Sequence, residues 1–246
     1  MKVLVATKVV LDSEDIAVNS DRSLDYSKSK AKISEYDTNA LEVATTLGAD
    51  SIKVISVGNK LIDDSKVKKN ILSRGADELL YASSDAYENL DAQATAKLLA
   101  ELANKADGFD LIILGDGSAD HMAQQVDVQL ARELSLPLVT AVSKIEVEGD
   151  ALKLERILED RTQVVKVALP AVVSVVPDVA QARIPGMKDI LAAGKKPNEK
   201  VELGEVSNSI EEISRLAPEQ VDRAQNVSEA NEDSIAQFVE ALKARI

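Results

Sequence analysis

The chain has 246 residues, with 42 acidic and 29 basic side chains and a formal net charge of −13. That acidic balance argues against nucleic-acid binding, which needs clustered Lys and Arg, and Lys66, Lys68 and Lys69 read as one solvated helix face. With no cysteine and a single histidine, His121, disulfides, thiolate metal sites, a Cys nucleophile and His-rich metal centres are excluded. Hydrophobic residues make up 45% and aromatics only 2%, so Ala, Val, Leu and Ile must build the core, and stacking platforms for single strands are lacking.

In chain order, residues 2–7 read as a short buried strand. Residues 9–35 look polar and irregular, with a turn at Asp21 to Leu24. Asp37 is expected to cap a helix carrying Ala40, Leu41, Ala44 and Leu47 on one face, closed by Gly48. A strand over Ser51 to Val57 and an amphipathic helix over 61–73 follow, the helix closed by Gly75. Next come a strand at Leu79 to Tyr81, a helix capped by Asp91, a strand over Asp110 to Leu114 and a helix from about Met122 to Leu134. Four alternations of strand and helix predict an α/β, Rossmann-like architecture: a mostly parallel sheet with helices on both faces.

The pattern then changes. Residues 141–147 and 151–158 alternate around the turn Glu148-Gly149-Asp150, residues 162–168 alternate again, and Ala171 to Val176 reads as buried. This predicts an added antiparallel hairpin region. Residues 198–246 carry 11 acidic and 5 basic side chains and one aromatic, Phe238, too polar to form a core alone. The division expected is a nucleotide-binding α/β domain over 1–197 and an acidic arm over 198–246, with amphipathic stretches near 209–216 and 231–244, packing on a partner subunit, the alternative being a tail packed on its own domain. The start lacks the apolar stretch of about 7–15 residues of a signal peptide, and no run approaches the ~20 residues of a membrane helix. A soluble, cytoplasmic chain without membrane insertion is expected.

Parallel α/β sheets bind ligands at the carboxyl ends of their strands. The loops after Ala6, Val57 and Leu114 are therefore the candidates. The third is the most informative: Gly115-Asp116-Gly117-Ser118-Ala119-Asp120 precedes a helix, so backbone N–H groups and a helix N-terminus face a possible anion. Ser118, Asp120 and His121 lie too close in sequence to converge as a triad, and His121 is expected in the first turn of the helix. Asp63-Asp64 and Glu159-Asp160 read as solvated structural pairs. Without a credible acid–base pair, the chain suits a protein that positions a cofactor.

The residues Lys2-Val-Leu-Val-Ala-Thr-Lys8, Ser34-Glu-Tyr-Asp37, Ser73-Arg-Gly-Ala-Asp77, Gly115 to Asp120 with Ala123-Gln-Gln-Val126, Ser143 to Asp150, Leu154-Glu-Arg156, Leu169-Pro-Ala-Val-Val173, Arg183-Ile-Pro-Gly-Met187 and Ala193-Gly-Lys-Lys-Pro197 stand in an order and spacing that resemble the electron-transfer flavoprotein β subunit over about the first 200 residues. Details at Asp15 to Val18, Lys32 to Asp37 and Ile190 to Pro197 look most like its Fix-type branch, which accompanies carnitine, acyl-CoA or nitrogen-fixation pathways. The resemblance implies a heterodimer with an α subunit that holds a redox FAD, and electron transfer through flavin. It implies AMP in this chain's own site, or a second FAD that takes hydride from NADH in bifurcating members, and leaves that choice open. By position, the nucleotide contacts fall on Ala6, on Ser34, Tyr36 and Asp37, on Asn59 and on Gly115, Asp116, Gly117, Ser118, Asp120, Gln124, Gln125 and Val126, with Asp120, Gln124 and Gln125 as polar anchors. The segment Arg183, Ile184, Met187, Ile190 and Leu191 matches the one that docks an acyl-CoA dehydrogenase or related flavin enzyme.

Four positions depart from the family pattern. Pro177-Asp178-Val179-Ala180 replaces the usual Asn-x-Pro-Arg, Ile157 replaces a glutamate, and the run of aspartates in the nucleotide loop is reduced to Asp120. Val126 replaces a threonine, as in bifurcating members. The chain is an electron carrier in this reading rather than a catalyst by itself. The competing reading is a stand-alone adenine-nucleotide-binding or hydrolysing domain of similar fold.

Overall fold

A computed structural model describes residues 1–221 and 225–245. Two compact units divide the chain: Met1–Ala17 with Asp25–Ser214, and Val18–Leu24 with Arg215–Ile246.

The first unit is built on a nine-stranded sheet in the order β11-β10-β9-β12-β8-β1-β6-β7-β13. Its strands are β1 (Lys2–Thr7), β6 (Ser51–Gly58), β7 (Glu78–Ser83), β8 (Leu111–Gly115), β9 (Leu138–Glu148), β10 (Ala151–Ile157), β11 (Thr162–Ala168), β12 (Ala171–Val175) and β13 (Asn198–Lys200). All neighbours from β9 to β13 in that order pair in parallel, and β9-β10-β11 pair antiparallel. This is the α/β, Rossmann-like architecture expected, with the antiparallel addition at one edge. The hairpin turns at Gly149, which takes φ +65, a conformation open to glycine without a Cβ penalty.

Strand β1 shows why the sheet reads as a continuous apolar run. Val3 and Val5 point into one core with Leu41 and Val43 of helix α1 (Glu35–Thr46) and Ile71 of helix α2 (Ser65–Ser73). Leu4 and Ala6 point into a second core with Leu98 and Leu102 of α3 (Ala92–Asn104) and Leu130 of α4 (Val126–Leu134). Successive side chains leave opposite faces, and each face meets helices. Helix α5 (Met187–Ala193) packs on α2.

Several local expectations change. Residues 9–35 contain the short strands β2 (Val9–Leu11), β3 (Ala17–Val18), β4 (Leu24–Asp25) and β5 (Ala31–Ile33) rather than irregular chain, and β2 pairs with β5. The expected 61–73 helix is interrupted at Asp64, whose side chain accepts Lys66 N at 2.6 Å and caps α2. Asp63 instead accepts Ser83 Oγ at 2.8 Å. Glu159-Asp160 lies in the β10–β11 turn, where exposed Asp160 forms two bonds with Arg161. Beyond position 197, Asn198–Lys200 joins the sheet edge beside β7, and the compact unit continues to Ser214. Residues 209–216 contain no regular element, with Ile210, Ile213 and Leu216 exposed.

In the second unit, Arg22 Nη1 pairs with Glu219 Oε1 at 3.1 Å and Ala217 N donates to Arg22 O at 2.9 Å. Helix α6 (Glu232–Lys243) is capped by Asn231 Oδ1, which accepts Ser234 N at 2.9 Å. Its residues Ile235, Phe238, Val239 and Leu242 share one face and are all exposed. Residues 222–224 and Ile246 of the expected arm lie outside the described residues. No helix among the described residues is long and apolar enough to cross a membrane.

Candidate functional site

Strand order reverses at β1: β6 lies on one side of it and β8 on the other. The crevice beyond the carboxyl ends of β1 and β8 is the topological switch point where open α/β sheets bind ligands. Lys8 follows β1 there, and residues 116–125 follow β8.

The N-terminus of α1 closes the site from one face. The helix starts at Glu35 after Ser34, so the expected cap at Asp37 is displaced to the first turn. Asp37 is buried and claimed by distant donors. Its Oδ2 accepts Lys8 N at 2.7 Å and its Oδ1 accepts Gly115 N at 3.1 Å, joining the ends of β1 and β8. Burial pushes its carboxyl up to about 7, against the pull of those two N–H groups. Ser34 is buried and its hydroxyl makes no cap bond; it accepts Ala119 N of the loop at 3.3 Å. Gly115 permits this packing, since a Cβ would stand 2.5 Å from Tyr36 Cβ and 2.9 Å from the Tyr36 carbonyl carbon.

The loop carries the charges. Asp120 pairs with Lys8 Nζ at 2.7 Å and accepts Ser118 Oγ at 2.6 Å. Burial pushes the Asp120 carboxyl up, but the Lys8 ammonium and Ser118 hydroxyl together hold it below the usual carboxylate range. Asp116 shifts the other way: burial, aided by nearby Asp127, raises it above that range. Ser118 donates to Asp120, so the three residues do not form the Ser-to-His-to-Asp relay of a hydrolase. Helix α4 begins at Val126, four residues later than expected, because Met122 and Gln124 take φ +48 and +52. His121 therefore sits in the loop, not in a helix turn. Gln125 at the N-cap supplies no side-chain bond, and of the first-turn N–H groups Val128 N donates to Asp127 Oδ1 at 2.8 Å. Asp127 is buried, accepts the Ser174 hydroxyl and ties the start of α4 to β12.

Ser34, Tyr36, Asp37, Gly115, Asp116, Gly117, Ser118, Asp120 and Gln124 thus meet at one place. Ala6 is buried in the core at the end of β1. Asn59, after β6, uses its Oδ1 to accept Leu61 N at 3.0 Å. Gln125 and Val126 open α4. Lys8 joins these residues although it is outside the expected site set; its signal in the sequence is its place directly past a buried strand.

The geometry suits a nucleotide in two respects. Thr7 Oγ1 and Asp116 Oδ1, at the ends of adjacent strands, are buried without hydrogen-bond partners. The N-terminus of α4 follows directly on the loop. Among the described residues no cluster of His, Cys, Asp and Glu is arranged to hold a metal ion.

The second predicted set lies elsewhere in the same unit. Ile184 is 94% exposed, Met187 73% and Leu191 67%, with Ile190 also exposed. Arg183 is exposed as well, but its guanidinium is engaged by Glu42 of α1. Compared with known families, residues 23–206, about three quarters of the chain, match the model of the electron transfer flavoprotein domain.

Proposed function

The chain belongs to the electron transfer flavoprotein family, and we propose that it is the β subunit of a heterodimer that passes electrons between a flavin dehydrogenase and an acceptor. Its site at the β1–β8 crevice holds AMP or a second FAD. The α subunit holds the redox FAD, and the unit carrying α6 packs against that subunit. The exposed segment Ile184 to Leu191 docks an acyl-CoA dehydrogenase or related enzyme of the cytoplasm. Flavin supplies the electron transfer when bound; this chain supplies binding, orientation and electrostatics.

The observation that carries the reading is the convergence of Lys8, Ser34, the N-terminus of α4 and two buried unpaired oxygens at the switch point. Lys8 and the α4 N-terminus favour an anion, and Ser34 and Asp37 fix the loop that would lie over it. Asp120 moderates Lys8, so an incoming phosphate competes with a carboxylate for that ammonium. The apolar face of α6 and the Ile184 segment would serve no purpose in a stand-alone nucleotide binder.

The test is the ligand content of the chain co-expressed with its α partner. The complex is denatured and the released FAD and AMP are counted per heterodimer. One FAD and one AMP mark a simple carrier, and two FAD mark a redox flavin at Gly115 to Val126. FAD alone at one per heterodimer, with ATP binding to the isolated chain, would sink the reading in favour of a separate nucleotide-binding domain.

A further inference from the structure

Helix α1 makes a second long-range set of contacts, at its far end. Glu42 lies five residues beyond Asp37, about 7.5 Å further along the helix. It accepts Arg183 Nε at 2.6 Å, Arg183 Nη2 at 2.9 Å and Arg183 N at 3.2 Å. Arg183 Nη2 also reaches Thr45 Oγ1 at 2.6 Å. From the C-cap of α2, Arg74 Nη1 donates to Arg183 O at 2.8 Å. The N–H, carbonyl and guanidinium of one residue are therefore all fixed to two helices. The pairing holds the Glu42 carboxyl below its usual range and raises the Arg183 guanidinium. A planar guanidinium gripped at two points sets direction as well as distance. The next residue is Ile184, and the exposed apolar segment runs from there into the seven-residue helix α5.

We infer that Arg183 is a positioning residue: through Glu42 and Thr45 it fixes the Ile184–Leu191 segment to α1, the helix whose first turn holds the nucleotide loop. This rests on the reading of that segment as the docking surface for a flavin enzyme. Without the anchor the segment samples more orientations, and the partner must order it on binding. That loss falls on affinity rather than on the rate within the formed complex. The nucleotide loop is spared, because Ser34 and Asp37 hold it from the other end of α1.

The test uses the α–β heterodimer with Arg183→Gln, Arg183→Lys and Ile184→Ala. In Arg183→Gln, amide hydrogen exchange over 184–191 accelerates about fivefold, the factor expected for one half-exposed bidentate pair. The dehydrogenase concentration giving half-maximal electron exchange rises by a similar factor, while the maximal rate and bound nucleotide hold. Arg183→Lys, which keeps the charge without the fork, falls between the two and serves if the glutamine variant folds poorly. Unchanged exchange over 184–191, a fall in maximal rate at constant half-saturation, or loss of nucleotide in both Arg183 variants overturns the inference. If Ile184→Ala leaves electron exchange untouched while Arg183→Gln still loosens the segment, the docking reading fails and the anchoring stands.

Discussion

The same amphipathic grammar has opposite outcomes in the two units. In the sheet unit, Leu41 on α1 is 0% exposed and Leu98 on α3 is 0% exposed, because strands β1, β6 and β8 lie beneath them. On α6, Ile235 is 57% exposed and Phe238 66% exposed at the same helical spacing. Periodicity fixes which residues share a face; it says nothing about whether the chain supplies the surface to cover it. A face of four apolar residues that its own unit leaves uncovered needs a surface from elsewhere, which in the reading proposed above is the α subunit's. The sheet unit is therefore expected to be stable alone, and the α6 unit to acquire its stability from a complex.

The largest effect comes from removing one side of the comparison. Ending the chain at Ser214 should abolish co-purification with the α subunit, yet shift the melting temperature of the isolated chain by less than about 2 °C. Retained co-purification would show that α6 has another task. Ending the chain at 197 should be worse, since it also strips β13 from the sheet edge. Point substitutions draw the same line. Leu41→Ala should cost about 2–5 kcal/mol in denaturant unfolding of the chain alone. Phe238→Ala should cost less than about 0.5 kcal/mol there, and show its effect only in complex formation. Equal costs would mean that α6 is packed in the free chain.

Gly115→Ala probes the sheet unit where β8 comes closest to the start of α1. The new methyl would meet backbone at Tyr36, which has no rotamer to yield. About 1–3 kcal/mol of stability should be lost, together with nucleotide, since the β8 end and the start of α1 must separate. A variant that keeps its nucleotide while losing stability would show that the approach of Tyr36 serves the fold alone.

How much of this was legible in the sequence depends on the range of the interaction. Strands β1 and β8 and the Gly149 hairpin follow from local patterns, as does Asp91, whose Oδ1 accepts Ala94 N at 2.7 Å. Ser34 and Asp37 are both good cap residues, so local sequence does not decide which of them starts α1. The choice between them is made by Lys8 and Gly115, 29 and 78 positions from Asp37. The late start of α4 was hidden because Ala123, Gln124 and Gln125 suit a helix, and only the loop's packing gives Met122 and Gln124 positive φ. Lys8 reads as a solvated strand end until Asp120, 112 residues away, is placed beside it. Strand β13 is polar and exposed, as edge strands often are, so no apolar period marks it.

The last prediction is a pH dependence that belongs to the sheet unit alone. Asp37 has an ordinary value of 3.8 and is pushed up to about 7 by burial, with Lys8 N and Gly115 N opposing the shift. Between those values the folded chain holds a proton that the unfolded chain has released. The stabilisation is therefore fully present below about pH 4 and is lost as pH rises through about 7. Asn in its place cannot titrate and turns an amide NH2 towards one of the two N–H donors, which should cost about 1–3 kcal/mol near pH 5. That cost should shrink by pH 8, because the native carboxylate is itself then charged and buried. Melting curves from pH 5 to 8 should accordingly converge for the chain and Asp37→Asn, and converge equally when both end at Ser214. Parallel curves would mean that the two backbone N–H groups keep Asp37 ionised throughout, with the clamp between β1 and β8 indifferent to pH.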